Sequence, residues 1–170
     1  HETLEKAGGS AYGAPVISGL IRTVRPHQWV KNLFVLAPMF FHKSVFLSTP
    51  MGPALNLTIT GRALAATAVF CLLAGAVYTI NDLADVEADR VHPVKRERPI
   101  ASGEVPEALA KMMAVLLVVV SLGMAFVLNR LFGVVALVYF VENLAYTFKL
   151  KKIAYLDVFL IAFGFVLRVL

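Results

Sequence analysis

Long apolar runs separated by short polar stretches make up most of the chain. Residues 63–80 (ALAATAVFCLLAGAVYTI), 112–128 (MMAVLLVVVSLGMAFVL), 131–148 (LFGVVALVYFVENLAYTF) and 153–170 (IAYLDVFLIAFGFVLRVL) are each nearly unbroken in apolar character. A helix needs roughly 20 such residues to cross a bilayer, with about 17–25 as the usual range. Residues 29–47 (WVKNLFVLAPMFFHKSVFL) form a weaker run that carries Lys31, His42 and Lys43. Pro38 predicts a bend there, because proline lacks the N–H and its ring clashes with the preceding turn. Residues 48–61 hold two prolines and two glycines and read as a loop. No strand alternation persists, so the pattern predicts an all-α membrane protein with about five transmembrane helices in a domain over 21–170. Residues 1–20 are polar and Gly/Ala-rich at their start and read as a mobile N-terminal tail.

Composition supports the membrane reading. Of 170 residues 59% are hydrophobic and 16% charged, against about 45–50% and 25% in soluble domains, and mean hydropathy is +0.76. The single cysteine, Cys71, excludes a disulfide within the chain. The net charge of +5 is distributed by side rather than spread evenly. With five alternating spans, one side receives twelve Lys and Arg residues, in residues 1–31, the 81–111 loop and residues 149–152, and the other receives four, Lys43, Arg62, Arg130 and Arg168. The positive-inside rule then places the 81–111 loop in the cytoplasm, in a multi-pass protein of the inner (cytoplasmic) membrane. Because the basic residues follow the membrane sides and form no continuous stripe, nucleic acid is disfavoured as a partner.

The chemistry concentrates in that loop. Seven of the eleven acidic residues fall between positions 81 and 107. Asn81, Asp85 and Asp89 recur every four residues and line one helix face, with Asp82 on its border. Stacked carboxylates repel unless something cationic lies between them. Mg²⁺ takes oxygen ligands, commonly one or two carboxylates plus substrate phosphates. Lys95, Arg96 and Arg98 follow closely, and Arg grips phosphate through a bidentate fork. Carboxylates for a metal beside cations for phosphate oxygens point to a diphosphate ligand. A plain solvated charge run is the competing reading.

The segment NDLADVEAD (81–89) resembles the first aspartate-rich motif, NDxxDxxxD, of the UbiA superfamily of intramembrane prenyltransferases, and KRERPIASG (95–103) resembles the basic stretch after it. The flanks RPHQWVKN and NLAYTFKLKKIAYLDVFLIAFGFVLR are similar to one branch, the decaprenyl-phosphate phosphoribosyltransferases. The resemblance covers about residues 20–170. It implies a bundle of about nine helices around a lipid-open cavity, with the present chain as the N-terminal half, incomplete at its C-terminus and inactive alone. It also implies Mg²⁺ held by Asn81, Asp82, Asp85 and Asp89, with Asp85 and Asp89 as catalytic residues, and substrate contacts from Lys95, Arg96 and Arg98. No second aspartate-rich cluster occurs before Leu170.

In most of the superfamily a prenyl diphosphate is the donor and an aromatic ring the acceptor. In the phosphoribosyl branch, phosphoribosyl diphosphate is the donor and a polyprenyl phosphate the acceptor. Arg25, Lys31 and Asn32, at the cytoplasmic start of the first span, favour the second version and are read as substrate-binding, as are Asn143 and Tyr146, which share a face of the fourth span. Asp157, one turn into the last span, is either functional or a helix-pairing group. Transfer to 4-hydroxybenzoate or a quinone precursor and a non-catalytic membrane scaffold stay open as alternatives.

Overall fold

Helix dominates the computed structural model, which describes residues 13–37, 46–49, 52–148, 162–164 and 166. The elements run α1 (Gly13–Val24), a 3-10 segment (Pro26–Leu36), β1 (Phe46–Thr49), β2 (Gly52–Leu55), α2 (Leu57–Ala84), α3 (Val86–Val91), a 3-10 turn (Lys95–Glu97), α4 (Glu107–Leu128) and α5 (Arg130–Phe148). Three of these, α2, α4 and α5, are long and apolar enough to cross a membrane.

The helix α2 is the axis of the fold: α1, the 3-10 segment, α4 and α5 all pack on it. Half of its most apolar window is buried, against 17% for α4 and 22% for α5. Its core residues Val69, Phe70 and Leu73 meet Ala125 of α4 and Ala136 and Tyr139 of α5. The Phe70 ring packs edge-on against Tyr139 (5.3 Å) and Phe132 (5.7 Å). The buried residues of α4 are small (Ala110, Ala114, Ser121, Ala125), which lets two helix backbones approach without a hydrophobic driving force between them. Its outer face, including Val115, Leu116, Val119 and Val127, is exposed and apolar. Buried hydroxyls return to their own helix: Thr67, Thr79, Ser121 and Thr147 each donate to the carbonyl four residues earlier. Side-chain oxygens of Asn56 and Asn129 accept from backbone N–H groups at the starts of α2 and α5, as N-caps do.

Length sets where the site lies. At about 1.5 Å per residue, the 28 residues of α2 extend about 42 Å, more than the roughly 30 Å of hydrocarbon. One end can therefore emerge from the hydrocarbon, and the polar end is the one that carries Asn81 and Asp82.

Three expectations change. Residues 13–20 are helical rather than tail, because α1 buries one face: Leu20 joins a second core of Val86, Ile100, Val105 and Ala110, and Thr23 is fully enclosed. Tertiary packing, not intrinsic propensity, holds such a short helix. The expected first span, 29–47, opens as 3-10 helix starting at Pro26, and Phe46 and Leu47 belong to β1 instead. The expected 48–61 loop contains an antiparallel hairpin, with Phe46 opposite Leu55 and Thr49 opposite Gly52. Pro38, Lys149, Asp157 and nearly all of the 153–170 span lie outside the described residues.

Close approach of α1 and α2 depends on Gly75, where a Cβ would lie 2.2 Å from Val24 Cγ1. Gly75→Ala is therefore expected to destabilise the protein by about 1–3 kcal/mol, the usual cost of overpacking. Gly123→Ala, whose Cβ meets nothing within 4 Å, leaves stability unchanged or raises it. Thermal unfolding of the two variants in detergent checks the contrast.

Candidate active site

The α2 helix ends at Ala84 and α3 begins at Val86, with Asp85 between them at φ −100°, ψ 4°. Backbone hydrogen bonds from Asp85 N to Asn81 O and from Asp89 N to Asp85 O continue the helical sense across the junction. The inward face is not the one the four-residue spacing predicts. Thr79, Asp82, Val86 and Asp89 are buried, while Asn81 and Asp85 are half-buried beside them. Seven residues make nearly two turns, so Asp82 and Asp89 realign on one face.

Buried carboxylates need partners, since an isolated charge away from water is costly. Asp82 is 3% exposed and Asp89 2%. Arg98 Nη1 donates to Asp82 Oδ1 (3.1 Å) and to Asp89 Oδ2 (2.6 Å). Arg25 Nη2 donates to the same Asp82 oxygen at 2.6 Å, and its guanidinium lies 5.1 Å from the centre of the Tyr78 ring, within cation–π range. Arg25 has φ 53°, the one positive value outside glycine among the described residues. Such a conformation costs of order 1–3 kcal/mol, and the ion pair and ring contact offset it. The following Pro26, with its preset φ, opens the 3-10 segment.

A second layer of ion pairs surrounds this quartet. Arg22 of α1 pairs with Glu104, and Arg90 pairs with Glu87 and with Glu107 at the start of α4 (3.0 Å). The turn between them places Gly103 at φ +80°, a conformation glycine adopts without strain. These pairs tie α1, α3 and α4 to the 98–107 segment.

The other expected site residues separate. Lys95 and Arg96 are exposed on the 3-10 turn, where His92 Nδ1 accepts from the backbone N–H groups of Val94 and Lys95. Lys31 is exposed, whereas Asn32 is 1% exposed and its amide donates to Cys71 Sγ at 3.4 Å. The Asn143 amide donates to the Tyr139 carbonyl (2.8 Å) and to Glu142 Oε2 (3.1 Å), so it is engaged on its own helix. Tyr146 is half-buried. The participants not anticipated include Tyr78 beside Arg25 and the outer ion-pair residues, Glu104 among them. Tyr78, one turn before Asp82, had a visible signal in its i, i+4 spacing, while Glu104 had none beyond its charge.

Asn81, Asp82, Asp85 and Asp89 offer oxygen donors only, the chemistry a hard divalent cation takes. Asp82 and Asp89 are engaged by the guanidinium group of Arg98. Among the described residues no three His, Cys, Asp or Glu side chains are grouped to hold a metal. Asn81 and Asp85 supply one amide and one carboxylate, a set that fits Mg²⁺ when substrate phosphates complete the shell.

Arg98→Ala is expected to destabilise the fold by roughly 3 kcal/mol, the scale for breaking a buried ion pair from one side, because Asp89 then loses its guanidinium. Arg90→Ala, at exposed pairs, is expected to stay within about 1 kcal/mol. Denaturation curves of both variants check the difference.

Comparison with known proteins agrees with this architecture. The chain matches the UbiA prenyltransferase family over residues 35–170. It is 43% identical over 156 residues to a decaprenyl-phosphate phosphoribosyltransferase of Mycolicibacterium smegmatis, covering 90% of this chain and 46% of that protein. It is 39% identical over 158 residues to the enzyme of the same name from Mycobacterium tuberculosis, covering 91% of this chain and 50% of that one. The chain thus spans about half the length of these relatives. The fold resembles a solved UbiA homolog from Archaeoglobus fulgidus bound to GPP and Mg²⁺, with TM-score 0.68 and 22% identity over 89% of this chain and 51% of that one. The chain, an integral membrane protein, belongs to the UbiA prenyltransferase family.

Proposed function

We propose that the full-length protein transfers phosphoribose from phosphoribosyl diphosphate to a polyprenyl phosphate, decaprenyl phosphate in the leading case, and releases diphosphate. A phosphate oxygen of the lipid attacks the anomeric carbon of the ribose as the bond from that carbon to the diphosphate oxygen breaks. The attacking phosphate is already anionic, so no strong general base is required. The protein's task is to gather two anionic substrates at the membrane edge, neutralise the leaving group and align the attack.

The observation that carries this reading is the juxtaposition of Arg25 and Arg98 with Asp82 and Asp89 at the end of an apolar bundle. The names of the relatives at 39–43% identity supply the substrate class. Arg98 and Arg25 contact the diphosphate, and the exposed Lys95 and Arg96 draw it in from solution. Lys31, exposed on the 3-10 segment, would meet the acceptor phosphate, and Tyr146 would contribute from within the bundle, as would Asn32 and Asn143 on exchanging their present partners, Cys71 for the first and Tyr139 and Glu142 for the second. Asn81 and Asp85 would hold Mg²⁺, with Asp89 orienting Arg98 beside them. When bound, the cation supplies Lewis-acid charge on the departing diphosphate. The domain over 21–170 sits in the inner membrane with the 81–111 segment facing the cytoplasm, where a phosphorylated sugar donor is soluble, and the exposed apolar faces of α4 and α5 meet lipid or further helices of a bundle of about nine.

Full-length protein supplied with labelled phosphoribosyl diphosphate, decaprenyl phosphate and Mg²⁺ is expected to form a labelled lipid. Chelation is expected to stop the reaction, and Asp85→Ala to slow it by about 10²-fold or more, the scale for lost electrostatic stabilisation. Absence of labelled lipid, together with prenyl transfer from a prenyl diphosphate to 4-hydroxybenzoate, would replace this reading with aromatic prenylation. Absence of both transfers from parent protein that inserts normally would overturn both in favour of a scaffold, and full transfer by Asp85→Ala would remove Asp85 from the metal site.

A further inference from the structure

We propose that Asp82 is a positioning residue rather than a metal ligand: it presents Arg25 and Arg98 together as a two-guanidinium grip on the diphosphate group. This rests on the proposed function only in that the ligand carries a diphosphate, which both phosphoribosyl and prenyl donors do.

The geometry of one oxygen is the starting point. Arg25 and Arg98 both donate to Asp82 Oδ1, from chain positions 57 residues before and 16 residues after it. The carboxylate is 2% exposed, whereas the two arginine side chains are 24% and 25% exposed. The anion is thus sealed beneath its cations, which stay in reach of solvent. A guanidinium has five N–H donors. Arg25 spends Nη2 on Asp82, and Arg98 spends Nη1 on Asp82 and Asp89, so each retains donors for an oxygen-rich anion. A carboxylate bridging two guanidiniums also lets like charges sit side by side, as a diphosphate with oxygens on adjacent phosphorus atoms requires.

The backbone points the same way. Arg25 is held in the left-handed region, a local strain that persists only where surrounding contacts fix it. Those contacts are the hydrogen bond to Asp82 and the approach to the Tyr78 ring. Both come from α2 one turn apart, so a rigid helix sets the direction of the side chain. A metal at Asp82 would have to displace two charge-assisted bonds from a buried carboxylate, while Asn81 and Asp85 lie beside it, less buried.

Calorimetric titration of inorganic diphosphate into the full-length protein at saturating Mg²⁺, and of Mg²⁺ at fixed diphosphate, separates the two roles without turnover. Asp82→Asn is expected to weaken diphosphate binding by about tenfold, the order of one charge-assisted contact, with the half-saturating Mg²⁺ concentration unchanged within about twofold on the same scale. Asp85→Asn is expected to raise the Mg²⁺ requirement. A raised Mg²⁺ requirement in Asp82→Asn, or no change in diphosphate affinity, would overturn the proposal. If Asp82→Asn does not fold, Arg25→Ala and Arg98→Lys carry the test: diphosphate binding as tight as the parent's in both would overturn it. Failure of phosphoribosyl transfer by the parent protein contradicts the proposed reaction and leaves these titrations interpretable.

Discussion

A carboxylate buried at the end of a transmembrane helix is the constraint on which the polar end of this molecule depends. Asp82 cannot remain charged beneath an apolar bundle without partners, and its partners come from two other segments. Arg25 brings the α1 to 3-10 junction onto the end of α2, and Arg98 brings the loop after α3. Once those are pinned, Leu20 and Val105 close over the second core, Arg22 meets Glu104, and α1 settles against Gly75. The same bonds that satisfy a buried charge therefore gather the cations that an anionic ligand needs.

The membrane-spanning part serves this end by being rigid and dry. Small residues on α4 let it lie close to α2, and aromatic contacts from Phe70 lock α5 to the same helix. Every buried hydroxyl from Thr23 to Thr147 that has a bond to its own helix removes a polar group that hydrocarbon would otherwise penalise. Apolar residues left facing outward suit lipid or neighbouring helices. The polar work is thereby confined to one end, where α2 outlasts the hydrocarbon.

Much of this was legible in the residues. Continuous apolar runs marked α2, α4 and α5, because a bilayer imposes length and hydropathy together. The density of carboxylates at 81–89 with cations at 95–98 pointed to the cluster in which Arg98 meets Asp82 and Asp89. The part that escaped is tertiary. The i, i+4 spacing of Asn81, Asp85 and Asp89 was visible, but which face turns inward depends on what packs there, and Asp82 with Asp89 proved to be the buried pair. Nothing near Asp82 in sequence announces Arg25, 57 residues away. Helix α1 was hidden because a short segment with two glycines and five β-branched residues has little intrinsic helicity and is fixed by burial of Leu20 and Thr23. The hairpin at 46–55 was hidden because its prolines and glycines read as loop, and its pairing is set by register rather than by alternation.

If the Asp82-anchored arginines form the diphosphate end of the active site, a cryo-EM map of the full-length protein with phosphoribosyl diphosphate bound will show it. Diphosphate oxygens are expected within about 3 Å, hydrogen-bond distance, of both Arg25 and Arg98, with Asp82 still bonded beneath them. A diphosphate bound elsewhere, or a cation bonded directly to Asp82 with the two arginines turned away, would contradict it.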